Sequence, residues 1–372
     1  MITACQHAPA HIKAIAAYQP GKPTFELARE LNLDENNIIK LASNENPLGA
    51  SPAAIKAIER VLNGIALYPD GSGYDFKSAL IKKYAIARDQ IVLGNGSNDV
   101  LELAARTFLT PQDSAVYAQH AFAVYPLAVQ AIGAKKIEVA AAGYGHDLPA
   151  MAKAIREDTR VVFVANPNNP TGTFAPGDAL LAFIKAIPER VIIVLDEAYT
   201  DYLPAAVKVD TIAWLKHFPN LVITRTLSKA YGLAGLRVGF ALAHPDVADL
   251  MNRVRQPFNV NSLALAAAQA ALNDDAFLAK SAELNTQGLA HLAQEFGRLG
   301  LTFIQSYGNF VCVEVGDAAA MFQFLLEQGI IVRPIAGYGM PRHLRVSVGL
   351  THENERFLRA LAEGLKRLAS HR

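Results

Sequence analysis

Lys229 lies in TLSKAYGLAGLRVG (226–239), where a strand-like run gives way to a glycine-rich loop. Taken alone, a lysine is ordinarily a solvated surface cation. One that follows a buried strand is in a different position. Burial lowers its pKa, so the neutral amine can attack a carbonyl carbon or take a proton. Ser228 beside it and Arg237, eight residues on, could hold a phosphate. The guanidinium fork matches two phosphate oxygens, although Arg237 by itself reads equally as half of a surface ion pair. A second pattern is VLDEAY (194–199), in which Asp196 ends an apolar run. An acid at the carboxyl end of a buried parallel strand stands where α/β sheets place ligands. Facing a pyridinium nitrogen, it would keep the ring protonated and electron-withdrawing. Tyr199 could then hydrogen-bond a ring oxygen. Helix capping by Asp196 and a core position for Tyr199 are the plain alternatives.

Two further loops follow strand-like runs. NPNNPTG (166–172) is an ordinary turn composition, but at a strand end Asn169 could direct its amide at a ring oxygen. In LGNGSND (93–99), Gly96, Ser97 and Asn98 precede a helical pattern, and backbone N–H groups there could cradle a phosphate. The spacing is neither GxGxxG nor a P-loop, so a plain N-cap remains open. Phe122, in HAFAVY, could stack on a flat ring or simply fill the core. A lysine, an acid, a phosphate cradle and polar ring contacts together answer the needs of one ligand, a phosphorylated pyridine aldehyde.

Such loops need a scaffold. VVFVA (161–165), VIIVL (191–195), LVIT (221–224) and VGFALA (238–243) are short, rich in β-branched residues and lack alternation, as strands buried on both faces do. Helical patterns at 148–157, 177–187 and 209–217 separate them. The expectation is an α/β domain with a mainly parallel sheet, followed by a smaller α+β domain. The boundaries are 1–42 for an N-terminal arm and part of the small domain, 43–260 for the large domain and 261–372 for the small one. With 372 residues, 51% hydrophobic, and a net charge of +1, the chain has a globular composition and lacks the basic balance of a nucleic-acid binder. Cys5 and Cys312 make neither a CxxC pair nor a metal-ligand spacing, so no metal is expected. No apolar run reaches the roughly 18 residues of a membrane span, and the N-terminus lacks a secretory pattern. A soluble, cytoplasmic protein is expected.

The chain resembles the fold-type I, aspartate-aminotransferase-like enzymes that use pyridoxal 5′-phosphate (PLP), and within them the histidinol-phosphate aminotransferases. LASNENPLG (41–49), YPDG (68–71), GNGSND, FAVY, NPNNPTG, LDEAY, TLSKAYGLAGLRVG and LRVSVG (344–349) carry the resemblance. It implies that Lys229 holds PLP covalently, that Asp196 pairs with the pyridine nitrogen and that Tyr199 and Asn169 contact the ring oxygen. Ser97, Asn98, Ser228 and Arg237 would hold the phosphate, with Thr226 nearby. Phe122 takes the ring-stacking place where many relatives have tyrosine. Tyr68 would reach the phosphate from a second copy, which implies a homodimer. Arg345 would bind the substrate anion; Arg333 and Tyr18 are further candidates, readable equally as surface residues. The implied reaction is ping-pong transamination between L-histidinol phosphate and 2-oxoglutarate, giving imidazole-acetol phosphate and glutamate and running in reverse in histidine biosynthesis. Alternatives are an aromatic amino acid or prephenate aminotransferase, an enzyme like threonine-phosphate decarboxylase, and a non-catalytic regulator. A nicotinamide oxidoreductase is disfavoured because no GxGxxG follows a strand.

Overall fold

The computed structural model describes residues 2–17 and 21–370. In chain order the strands are β1 (Ile39–Lys40), β2 (Ile91–Gly94), β3 (Ser114–Ala118), β4 (Lys135–Val139), β5 (Thr159–Ala165), β6 (Ile192–Asp196) and β7 (Leu221–Thr226). They continue as β8 (Gly239–Ala243), β9 (Phe303–Ile304), β10 (Phe310–Glu314), β11 (Ile330–Ile331), β12 (Arg333–Pro334) and β13 (His343–Ser347).

Seven strands form one sheet in the order β2-β8-β7-β6-β5-β3-β4. Only β8 runs against its neighbours; the other six are parallel. Every residue of β6 and β7 is buried, because helices cover both faces and leave no solvent side to reward alternation. The register sets Ala165 opposite Asp196 and Asp196 opposite Thr224. The carboxyl ends of β5, β6 and β7 thus form one row from which three of the candidate loops depart.

A second layer is the antiparallel sheet β12-β13-β10-β9. It is covered by the helices Asp275–Arg298, Ala318–Glu327 and Thr351–Ser370, with Phe296, Phe357, Leu344 and Val346 in its core. The N-terminal part of the chain joins this layer: β1 pairs with β11, and Leu27 packs with Ala42, Leu326 and Ile331.

Two expectations change. The alanine-rich helix Ser262–Leu272 buries Ala264, Ala267, Ala268, Ala271 and Leu272 in the core beneath the seven-stranded sheet. We therefore propose that the large domain runs on through Leu272, not to 260. The segment 209–217 is a 3₁₀ turn, Ile212–Lys216. Its buried residues, Ile212 and Leu215, are three apart, the spacing at which 3₁₀ side chains eclipse. Among the described residues, no helix is long and apolar enough to cross a membrane and no cluster of three or more His, Cys, Asp or Glu could hold a metal.

Candidate active site

A cavity of about 190 Å³ opens at the carboxyl ends of β5, β6 and β7 and is closed on its other side by β12 and β13. Lys229 lines it, just beyond β7. Its Nζ donates to the Ser43 carbonyl at 3.0 Å. Burial, helped by the nearby Arg345 guanidinium, depresses this amine to about 7. The neutral amine is therefore a substantial fraction near pH 7, where most lysines are cations.

Asp196, at the end of β6, is 4% exposed. The Tyr125 and Thr224 hydroxyls donate to its two oxygens at 2.8 and 3.0 Å. Burial raises its pKa while these bonds and the Ala198 amide oppose the rise. All three donors are neutral, so the site offers a buried carboxylate a set of dipoles and room for a cation on the cavity side. Tyr125 is fixed by stacking on Phe163, centroids 4.8 Å apart. Burial pushes the Tyr199 phenol up to about 12, which keeps its proton on.

The other end of the cavity is an anion cradle. Ser97 and Asn98 open the helix Ser97–Phe108, whose N-terminus favours negative charge. Gly96 precedes them at φ +81°, and a Cβ there would lie 2.5 Å from Arg237 Nη2. Arg237 in turn donates to Ala234 O at 3.1 Å and, weakly, to Ser228 Oγ at 3.4 Å. Gly96→Ala is expected to displace Arg237, strain the backbone, and weaken capture of a phosphorylated ligand by about tenfold or more, read by titration of the purified protein with PLP.

Arg345 lies on β13 opposite Arg333 on β12, and both line the cavity. Arg345 donates from Nη1 to Asn169 Oδ1 and from Nη2 to Ala42 O, each at 2.6 Å. Its Nε is buried with no hydrogen-bond partner among the described residues. With Asn169 Oδ1 occupied, the Asn169 NH₂ is left to donate.

The family described as aminotransferase class I and II matches residues 36–361. The chain belongs to the class I and II aminotransferases. It is 60% identical over 363 residues to histidinol-phosphate aminotransferase 2 of Nitrosospira multiformis, covering 97% of this chain and 93% of that one. It is 59% identical to histidinol-phosphate aminotransferase 1 of Thiobacillus denitrificans, over 96% and 93% of the two chains. The crystal structure of histidinol-phosphate aminotransferase from Sinorhizobium meliloti in complex with pyridoxal 5′-phosphate superposes with a TM-score of 0.89 at 28% identity, over 97% of this chain and 98% of that one.

In this aminotransferase the cavity gathers Lys229, Asp196, Tyr199, Asn169, Phe122, Thr226, Ser228, Ser97, Asn98, Arg237, Arg333 and Arg345. Gly96 stands behind Arg237 and not in the wall. Tyr68 is outside it, 84% exposed and stacked on Phe258 at 4.9 Å. Tyr18 lies outside the described residues. Reading the sequence passed over four contributors: Asn44 and Tyr338 in the wall, and Tyr125 and Thr224 behind Asp196. Asn44 and Tyr125 fall inside LASNENPLG and FAVY, so their motifs were visible, though the parts they play were not. Nothing in the sequence singled out Tyr338.

The residues present fit a phosphorylated pyridine aldehyde. A depressed amine, a buried carboxylate without a cationic donor and a cradle that one added Cβ would fill all face the same space.

Proposed function

We propose that this aminotransferase uses PLP to move an amino group between L-histidinol phosphate and 2-oxoglutarate, yielding imidazole-acetol phosphate and glutamate, with the reverse sense serving histidine biosynthesis. The names of its relatives support the substrate, and one observation in the chain carries it: the Arg333–Arg345 pair at the cavity wall. A guanidinium fork donates equally well to a phosphate ester or to a carboxylate, so the pair suits both the phosphorylated substrate and the dicarboxylate of the other half-reaction.

When bound, PLP supplies a carbonyl carbon and a protonated ring that draws electrons from the substrate's α-carbon. Lys229 Nζ holds the cofactor and, once released, carries the α-proton as general acid and base. Asp196 holds the ring nitrogen protonated. Tyr199 Oη and Asn169 Nδ2 orient the ring through its oxygen. Ser97, Asn98, Ser228 and Arg237 fix the phosphate, with Thr226 beside them. Phe122 supplies packing against the ring and has no hydroxyl to add a hydrogen bond there.

We also propose a homodimer. Ile65, Leu67, Tyr68 and Phe258 are exposed apolar side chains, Tyr68 stacks on Phe258, and a second copy would cover them and bring Tyr68 to the partner's phosphate cradle. Cys5 and Cys312 are both free, which supports a reducing, cytoplasmic setting.

Arg345→Ala is expected to raise the KM for histidinol phosphate and for glutamate alike, each by about a hundredfold, in initial-rate assays of the two half-reactions. Loss toward only one would mean separate anion sites. The substrate itself is tested by mixing PLP-loaded protein with histidinol phosphate or phenylalanine, without keto acid. Faster loss of the cofactor's visible band with histidinol phosphate supports the proposal; faster loss with phenylalanine moves the activity to aromatic amino acids.

A further inference from the structure

Asn44 uses every polar atom it has. It is 1% exposed and sits at φ +55°, in the left-handed region that asparagine tolerates better than most residues. Its N–H donates to Ser347 Oγ at 2.8 Å, and the Ser347 hydroxyl donates back to Asn44 Oδ1 at 3.0 Å. Asn309 Nδ2 donates to the Asn44 carbonyl at 3.0 Å. With Oδ1 held by Ser347, Nδ2 is fixed as the donating end of the amide, and it donates to Tyr199 Oη at 2.9 Å.

A phenol that accepts from an amide must send its own proton elsewhere. Tyr199 is buried and lines the cavity. We infer that Asn44 is a positioning residue, which fixes the Tyr199 proton toward the cavity and so toward the ring oxygen of the cofactor. An accepted hydrogen bond also strengthens the one donated onward. Because Ser347 belongs to β13 and Asn309 directly precedes β10, the direction of that proton depends on how the small domain seats against the large one. The inference rests on the proposed cofactor and goes beyond it by naming what aims Tyr199.

The test is a pH titration of the visible band of PLP-loaded protein. Asn44→Gly keeps the backbone bonds and accepts φ +55° without strain, removing only the amide. Asn44→Asp places an acceptor where a donor stood and turns the Tyr199 proton away from the cavity. A donated hydrogen bond stabilises the deprotonated form of the bound cofactor, so its loss must raise the midpoint. The expected shift is upward by about half a unit for Asn44→Gly and by about one unit for Asn44→Asp. In a Tyr199→Phe background, Asn44→Gly should add no further shift. An unchanged midpoint in Asn44→Gly, or an equal shift with and without the Tyr199 hydroxyl, overturns the inference and leaves the cofactor in place. Absence of a visible band from the unsubstituted protein overturns the cofactor reading and this inference with it. A purely architectural Asn44 would lower the melting temperature of the variants without moving the midpoint.

Discussion

Lys229→Ala should lower turnover by about ten-thousand-fold or more and abolish the visible absorbance of the lysine-bound cofactor. Both losses follow from one atom. Nζ is the only part of the side chain that can bond a carbonyl carbon, and in the proposed mechanism the same nitrogen is the base. Its environment also sets a pH dependence. Burial and the Arg345 charge disfavour the ammonium form, which brings the pKa down to about 7. The reactive neutral amine is thus the minor form below that pH and the major form above it. For protein freed of cofactor, the rate of PLP capture should climb about tenfold per pH unit below pH 7 and level off above it. Stopped-flow absorbance across that range reads it directly. A capture rate still climbing steeply up to pH 10 would mean an ordinary surface-like lysine, and normal turnover by the alanine variant would remove Lys229 from the chemistry.

Asp196→Asn carries the second large effect. The amide is nearly isosteric and keeps an acceptor for either the Tyr125 or the Thr224 hydroxyl, which now donate to separate carboxylate oxygens. Packing and phosphate contacts stay intact, so PLP should remain bound. What disappears is the negative charge, at a position only 4% exposed. A buried ion pair broken on one side costs about 3–5 kcal/mol, which corresponds to a fall in rate of about a thousandfold. Binding is checked by the cofactor's absorbance after gel filtration and rate by single-turnover kinetics. An unimpaired rate with cofactor bound would show that the ring needs no anion at its nitrogen.

How much of this was legible follows from where each signal resides. Asp196 directly follows an apolar run, Asn169 and Lys229 come shortly after one, and the order of residues along the chain places all three at or just beyond strand ends. Their convergence needed only the rule that ligands gather at the carboxyl edge of a parallel sheet. Asn44 meets Tyr199 from 155 positions away, and no local pattern records such a pairing. Tyr125 reads as one more core aromatic until the tertiary structure puts its hydroxyl on Asp196. In the helix Ser262–Leu272 the alanines show no stripe that distinguishes one core from another; its faces are apolar nearly all round, so only packing decides. Arg333 becomes informative through its register with Arg345 across β12 and β13, which depends on strand pairing. Tyr68 is exposed in a single chain, and its proposed part depends on a second copy.

The Ser43 carbonyl that Lys229 touches is 186 positions earlier in the chain, and Ala42, next to it, is bound by Arg345. The cavity is thus assembled from segments at both ends of the chain and in its middle. Parallel strands already require long crossovers, which make closure late and slow. During synthesis, every residue up to β13 must have left the ribosome before the walls can meet. Secondary structure should therefore recover before affinity for PLP does when the denatured chain is refolded. Uptake of the coloured cofactor should then mark the closing of the cavity between the two sheets and make the enzyme its own reporter of complete folding.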